Sequence, residues 1–196
     1  MREQQWISVL QDAGAIQDGH FLLSSGRHSG RYVQCARALE QPDIAAQLGE
    51  AIAAEIDVPI DRVMAPPLGG LLIGHEVARA LGVPFSFPER SSDGTFVLRR
   101  GFSLRSGERI CVIEDVITTG KTTIELLDVI TQLGAVPVAI GCIVDRSQTH
   151  EVADFSLSSV LQLAIPSYTA DACPLCQQNV SLVQPGSRSM QGGRAT

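Results

Sequence analysis

Short apolar segments alternate with amphipathic helical segments through the middle of this chain, and this alternation limits the folds it can adopt. Most apolar segments are followed by a turn and then by a stretch long enough for a helix. Strands that alternate with helices predict an α/β fold with a mostly parallel central sheet covered on both faces. The predicted core strands are residues 62–65, 83–87, 110–113, 138–144 and 160–165.

Shorter elements are predicted in the N-terminal third. Helices are expected at residues 3–13 and 43–56, and short strands at 21–23 and 32–35. A Ser- and Gly-rich loop separates these two strands, since such residues favour turns. The helix after residues 110–113 is predicted to bury a stripe of apolar side chains, namely Ile124, Leu127, Ile130 and Leu133.

Composition favours one globular domain. The chain has 196 residues, of which 44% are hydrophobic, and its formal net charge is -6. A negative chain is a poor partner for nucleic acid or anionic membranes, because both reward a basic excess. It lacks an apolar run of about 18 residues and an apolar signal-peptide core. Because its five cysteines are scattered, a reducing compartment is favoured, and we expect a cytoplasmic protein with no membrane partner.

The segment from Arg109 to Thr123 carries the clearest chemical signal. An apolar strand delivers two adjacent carboxylates, Glu114 and Asp115, and a Thr- and Gly-containing turn then leads into a helix. Ligands of open α/β sheets bind at this edge, where the helix N-terminus offers N–H groups to a phosphate. Gly120 would let the backbone approach the anion. Hydroxyl donors come from Thr118, Thr119, Thr122 and Thr123.

The two carboxylates need a separate explanation, because they would repel a phosphate. Carboxylates accept hydrogen bonds from ribose hydroxyls, hold metal ions or favour a positive charge on a sugar ring. A phosphate at the turn and a ribose at the acidic pair together describe a 5-phosphoribosyl group. A nucleotide-binding P-loop would need Gly at position 115, where this chain has Asp. A structural turn with a charged rim is the remaining alternative.

The segment from Val112 to Thr123 closely resembles the motif of type I phosphoribosyltransferases that binds 5-phosphoribosyl 1-diphosphate (PRPP). This resemblance implies the type I fold, with a small hood built from N-terminal and C-terminal segments. It implies catalytic roles for Glu114 and Asp115. The implied PRPP contacts are Glu114, Asp115, Val116, Ile117, Thr118, Thr119, Gly120, Lys121 and Thr122.

Three further segments resemble orotate phosphoribosyltransferases. Residues 19–29 resemble their hood segment, and residues 66–70 resemble their pyrophosphate loop. Residues 144–146 resemble the strand end whose Arg meets the orotate carboxylate, a pairing that suits a guanidinium. The resemblance spans residues 15–188 in order. It implies orotate contacts from Ser24, Thr118 and Arg146.

The implied reaction joins orotate to PRPP and gives orotidine 5′-monophosphate and pyrophosphate, a step of pyrimidine synthesis. Mg²⁺ is the expected cofactor, held mainly through PRPP rather than by a protein metal site, and it would neutralise the leaving diphosphate. Two alternatives stay open: a purine phosphoribosyltransferase, and a non-catalytic PRPP or nucleotide sensor. The hood segment and Arg146 favour orotate, and the net charge disfavours an RNA-binding sensor.

Several lysines of the better-known branch of this family are missing. Ser24 and Gly69 stand where that branch has Lys, and only Arg90 matches its mobile-loop pattern cleanly. Residues 89–102, called the arm below, combine Gly and Ser with Arg90, Arg99 and Arg100. We expect these arginines to replace the lysines, with Arg90 in a PRPP-binding and catalytic role. The resemblance also implies a homodimer whose arm reaches into the neighbouring subunit's site.

One domain is predicted to span residues 1–196. The hood would comprise residues 1–40 and 160–185, and a mobile tail would follow at 186–196. The pair Cys173 and Cys176 matches the ending of a short, Thermus-like bacterial branch of the resembled family. A single C-x-x-C pair can be half of a zinc site, a redox dithiol or an incidental feature, of which the incidental or structural reading is preferred.

Overall fold

The structure, a computed structural model, describes residues 3–185. The strands in this part of the chain are β1 (Ile16–Leu22), β2 (His28–Val33), β3 (Arg62–Met64), β4 (Phe85–Ser86), β5 (Glu89–Arg90), β6 (Phe96–Val97), β7 (Arg109–Ile117), β8 (Val136–Asp145), β9 (Glu151–Val152), β10 (Phe155–Gln162) and β11 (Ser167–Tyr168). The helices are α1 (Glu3–Asp12), α2 (Ala36–Leu39), α3 (Pro42–Ala54), α4 (Gly70–Leu81), α5 (Lys121–Gln132) and α6 (Pro174–Gln177).

A six-stranded sheet forms the centre of the molecule, in the spatial order β4-β3-β7-β8-β10-β9. The first five of these strands run parallel, and short β9 joins antiparallel to β10. The mostly parallel sheet predicted from the sequence is therefore confirmed. Because parallel strands end at the same edge, the C-terminal ends of β3, β7 and β8 lie side by side.

The helices cover both faces of this sheet, and alternate residues of β7 face each layer. Cys111 and Ile113 belong to a buried cluster shared with α3 and α4. Ile110 and Val112 belong to a second cluster, shared with α5. This alternation follows from the period of two in a strand, and it explains why β7 is apolar on both faces.

The predicted apolar stripe of α5 is wrong at two positions. Ile124 and Leu133 are 41% and 46% exposed. The buried residues of α5 are Thr123, Leu126, Leu127 and Ile130. Thr123 replaces an apolar residue at the first inward position of the helix, and so apolar character alone shifts the predicted stripe by a residue.

A separate three-stranded sheet, called the hood sheet below, has the order β1-β2-β11. Strands β1 and β2 begin earlier and are longer than the predicted strands 21–23 and 32–35. The prediction relied on apolar residues, whereas polar residues such as His20, His28 and Ser29 are buried in this hairpin. β11 and an isolated bridge between Phe21 and Val183 bring the C-terminal segment to this hairpin. Residues 160–162, predicted as hood, lie in core strand β10. The predicted tail, 186–196, lies outside the described residues.

Membrane crossing would need a long apolar helix, and none of the helices between residues 3 and 185 meets that requirement.

Candidate active site

The turn after β7 is shaped by Gly120. β7 extends to Ile117, beyond the predicted 110–113, and α5 begins at Lys121. Gly120 between them has a φ of 69°, in the left-handed region. A Cβ on it would lie 2.6 Å from a Cγ of Val152. Gly120 is thus required by backbone conformation and by packing, whether or not an anion lies close to it.

The two acids of the predicted site lie within β7, and both are largely buried. Burial, with a smaller effect of neighbouring Asp115, raises the pKa of Glu114 to about 8. Burial also raises the pKa of Asp115, and the Val116 N–H that donates to its Oδ1 at 2.9 Å partly opposes this effect. Among the described residues, no Lys or Arg forms an ion pair with either acid.

A loop at the end of β3 packs directly against Asp115. It comprises residues 66–70, and its peptide bond between Pro67 and Leu68 is cis. A Cβ on Gly69 would lie 2.6 Å from Oδ1 of Asp115. The absence of a side chain at Gly69 therefore lets the loop approach this carboxylate. Residues 66–70 are the segment that resembles a pyrophosphate loop.

A cavity of about 700 Å³ lies next to the Thr–Gly turn and under the hood hairpin. The structure brings the three predicted orotate contacts, Ser24, Thr118 and Arg146, together in its wall. Thr119 lines it as well, and so do Tyr32 and Ser167. Sequence reasoning missed these last two residues, because neither lies in a motif and β11, which contains Ser167, is only two residues long.

Arg146 is a half-buried cation at the cavity wall. Its Nε is buried and has no hydrogen-bond partner in the described part of the chain. Burial lowers the pKa of its guanidinium. The carboxylate of neighbouring Asp145 does not pair with Arg146, since it accepts hydrogen bonds from the Ser147 N–H at 2.7 Å and from His150. An unpaired guanidinium in a cavity favours a carboxylate or phosphate ligand.

The other predicted PRPP contacts do not line this cavity. Ile117 is buried in the second core cluster and Val116 packs against the first, so that only their backbone atoms are available to a ligand. Glu114 and Asp115 lie at the neighbouring strand edge. Lys121 is exposed and Thr122 half-buried in the first turn of α5.

None of the three arm arginines lines the cavity, and ion pairs within the chain hold two of them, Arg90 and Arg100. Arg90 forms an ion pair with Glu125 of α5 at 2.7 Å and lies 3.7 Å above the centre of the Phe96 ring. Arg100 donates to Glu89 at 2.6 Å. The guanidinium of Arg99 is exposed, with no partner among residues 3–185. Arg99 is therefore the arm cation that is available to another subunit or a ligand.

Comparison with known proteins gives the same fold and a family. Residues 37–171 match the phosphoribosyl transferase domain family. The chain is 42% identical over 185 residues to the orotate phosphoribosyltransferase of Chlorobium phaeobacteroides, covering 94% of this chain and 95% of that protein. It is 40% identical over 191 residues to the orotate phosphoribosyltransferase of Desulforamulus reducens, covering 97% and 100%.

Solved structures agree with this assignment. The orotate phosphoribosyltransferase of Aeropyrum pernix superimposes with a TM-score of 0.66 at 28% identity, covering 80% of this chain and 92% of that chain. The Mycobacterium tuberculosis orotate phosphoribosyltransferase in complex with inorganic phosphate has the same fold, with a TM-score of 0.65 at 24% identity, covering 83% and 96%.

Proposed function

Because this chain belongs to the orotate phosphoribosyltransferase family, we propose that it transfers the 5-phosphoribosyl group of PRPP to orotate. The products are orotidine 5′-monophosphate and pyrophosphate. The observation that carries this proposal is the cavity that joins unpaired Arg146 to the Thr–Gly turn. In this arrangement Arg146 receives the orotate carboxylate, while the turn and the N-terminus of α5 receive the 5-phosphate.

The acidic pair and the loop of residues 66–70 complete the site. The ribose lies at Glu114 and Asp115, and the diphosphate extends toward Gly69, which packs on Asp115. The bond from C1 to the diphosphate oxygen breaks ahead of attack, and its electron pair leaves with the diphosphate. An orotate nitrogen then bonds to C1 of the oxocarbenium-like ring and gives up its proton to the released diphosphate. A buried carboxylate stabilises positive charge on the ring. Glu114, with a pKa near 8, keeps its proton near neutral pH and can donate a hydrogen bond to a ribose hydroxyl oxygen.

Mg²⁺ fits this site as a companion of PRPP. The ion would be held mainly by PRPP. The carboxyl group of Asp115, which has no Lys or Arg partner among residues 3–185, would offer it a further oxygen ligand of the kind that Mg²⁺ prefers. When bound, the ion offsets the negative charge of the leaving diphosphate. The protein's own contribution is to exclude water and to hold ribose and base in line under the hood.

The arm and the subunit arrangement belong to the same proposal. We place Arg99, together with Arg90 and Arg100, over the diphosphate of a neighbouring subunit in a homodimer. The exposed and unpaired guanidinium of Arg99 supports this placement. The cytoplasm is the proposed location, since none of the five cysteines forms a disulfide and three of them are buried in the core.

A substrate panel tests the proposed reaction. Purified protein with PRPP and Mg²⁺ is offered orotate, uracil, adenine and hypoxanthine in turn, and pyrophosphate release is measured. Only orotate should support rapid release, because uracil lacks the carboxylate that pairs with Arg146. Equal turnover of uracil or a purine would overturn the choice of base, and no release with any base would overturn the transferase.

A further inference from the structure

Four side chains that can ligate a metal meet at the hood sheet. They are His20 of β1, His28 at the start of β2, Cys173 just before α6 and Cys176 within α6. One ligand atom from each lies within 4.8 Å of all the others. His20, His28 and Cys173 are 2%, 6% and 0% exposed, and Cys176 is half-buried. We call these residues the His–Cys cluster.

The distances within the His–Cys cluster match those of a tetrahedral zinc site. Nε2 of His20 lies 3.0 Å from Nδ1 of His28 and 3.4 Å from Sγ of Cys173. Sγ of Cys176 lies 3.3 Å from Nδ1 of His28. Zinc binds His nitrogen at about 2.0–2.1 Å and thiolate at about 2.3 Å, so a regular tetrahedron separates two nitrogens by about 3.3 Å and nitrogen from sulfur by about 3.6 Å. An ion at the centre therefore needs only small side-chain shifts.

A backbone hydrogen bond orients one ligand toward that centre. Nδ1 of His20 lies 2.8 Å from the carbonyl oxygen of Val180, to which it donates. In a neutral imidazole this leaves the lone pair on Nε2, the atom that faces the other three residues. Zinc-binding histidines commonly donate their second ring N–H to an acceptor of this kind.

The ligand set favours zinc in a structural role. Two thiolates and two imidazoles suit Zn²⁺ better than Mg²⁺, which prefers oxygen ligands. Four protein ligands also occupy all four positions of a tetrahedral coordination sphere, whereas a catalytic zinc keeps one position open. None of the four residues lines the 700 Å³ cavity. We propose that the His–Cys cluster binds one structural Zn²⁺ that joins the N-terminal hairpin to the C-terminal segment.

The position of the cluster gives this ion a mechanical role. Two residues after His20, the N–H of Leu22 donates to the Val183 carbonyl, and Leu22 itself lines the cavity. Gln184, next to Val183, also lines the cavity. The ion thus holds together two cavity walls that come from opposite ends of the chain. Its loss should loosen the hood sheet and leave the central sheet in place.

Metal analysis of the full-length protein tests the proposal. Protein purified anaerobically, without an affinity tag that binds metal, should contain about one Zn²⁺ per chain by elemental mass spectrometry. Co²⁺ in place of Zn²⁺ should give the visible absorption of a tetrahedral thiolate site. Absence of both signals from folded protein with reduced cysteines would overturn the site. A disulfide between Cys173 and Cys176 in the anaerobically purified protein would overturn it as well.

Matched variants locate the ion. Cys173→Ser and His28→Ala should lose the Zn²⁺, while Cys111→Ala and His75→Asn should retain it, since neither Cys111 nor His75 belongs to the cluster. Cys176→His exchanges a thiolate ligand for an imidazole and should still bind Co²⁺, with a shifted spectrum. This result would show that the other variants lose the metal through loss of a ligand and not through a general loss of folding. If Cys173→Ser retains stoichiometric zinc and the Co²⁺ spectrum of the unmodified protein, the assignment is wrong.

Discussion

At the scale of single residues, the site depends on groups whose ordinary partners are missing. Among residues 3–185, half-buried Arg146 has no carboxylate partner and buried Glu114 has no Lys or Arg partner. A lone buried charge is costly, and a lone buried acid keeps its proton. Both residues are thus suited to a ligand that supplies the missing partner.

Replacing Arg146 should affect orotate much more than PRPP. Arg146→Ala removes a charge-assisted hydrogen bond of about 1.5–3 kcal/mol, so the KM for orotate should rise about tenfold or more. Arg146→Lys should fall between, because an ammonium keeps the charge and loses the two-pronged geometry. Arg37→Ala is the control, since Arg37 pairs with Glu40 on the surface. Steady-state kinetics that show equal rises in both KM values would point to general distortion instead.

Glu114 should make stability fall as pH rises. Its pKa is about 8 in the folded protein, against an ordinary value of 4.5. Between these values the folded protein keeps a proton that the unfolded chain has released, so the free energy of unfolding decreases with rising pH, by up to about 1.4 kcal/mol per pH unit. Below pH 4.5 both states are protonated and this cost vanishes.

Glu114→Gln removes that titration while keeping the shape of the side chain. The variant should match the unmodified protein near pH 4.5 and exceed it in stability by at least about 1.4 kcal/mol above pH 8. Urea unfolding at several pH values measures the difference, and Asp115 is unchanged in both proteins. A difference that does not grow with pH would mean that Glu114 is ionised in the folded state.

At the scale of elements, the turn from β7 into α5 could be predicted, and the partners of the arm could not. An apolar run, two acids and a Thr–Gly turn are local signals, so residues 110–123 indicated the strand end and the helix start that the structure has, while the phosphate site stays a prediction. The contact between Arg90 and Glu125 joins residues from two elements, and no local pattern encodes it. The predicted apolar stripe of α5 was wrong at two positions because Thr123 takes an inward position, and a search for apolar residues does not find a threonine.

The turn should bind PRPP through its hydroxyls. Thr119→Val keeps the side-chain shape and removes one donor to the phosphate, so PRPP affinity should fall about tenfold. Thr131→Val is a matched control near the other end of α5, where the hydroxyl donates to the carbonyl oxygen of Leu127 at 2.9 Å. Equilibrium binding of PRPP measures both. Equal affinities for the two variants would remove the hydroxyl of Thr119 from the phosphate site.

The arm should act across the subunit interface. Arg99→Ala and Asp115→Asn should each be nearly inactive, and mixed dimers formed from the two should regain one complete site and partial activity. The same mixing with Arg90→Ala tests that residue, and Glu125→Gln shows how much of its effect comes from loss of the ion pair with α5. Mixed dimers that are present but inactive would confine the arm to its own subunit.

At the scale of the whole molecule, alternating segments predicted the parallel sheet, and the family resemblance implied a hood from both ends of the chain. The strand order of the hood sheet is set by long-range contacts that no local pattern indicates. Strands β1 and β2 contain Asp, His, Ser and Arg, which are uncommon in buried strands, and so their length was underestimated. The His–Cys cluster shows the same limit. Cys173 and His20 are neighbours in the cluster but lie 153 positions apart in the sequence. A single C-x-x-C pair therefore did not indicate the two histidines.

The composition of the hood sheet has a consequence for synthesis on the ribosome. The hairpin β1–β2 emerges before the strands of the central sheet, and its third strand, β11, emerges after them. Domains generally form from the N-terminus onward as the chain is made. A nascent chain that has reached Gln162 can complete the central sheet, yet its substrate cavity still lacks Ser167 and Gln184. The walls of the cavity are thus complete only after residues 167–185 have been synthesised.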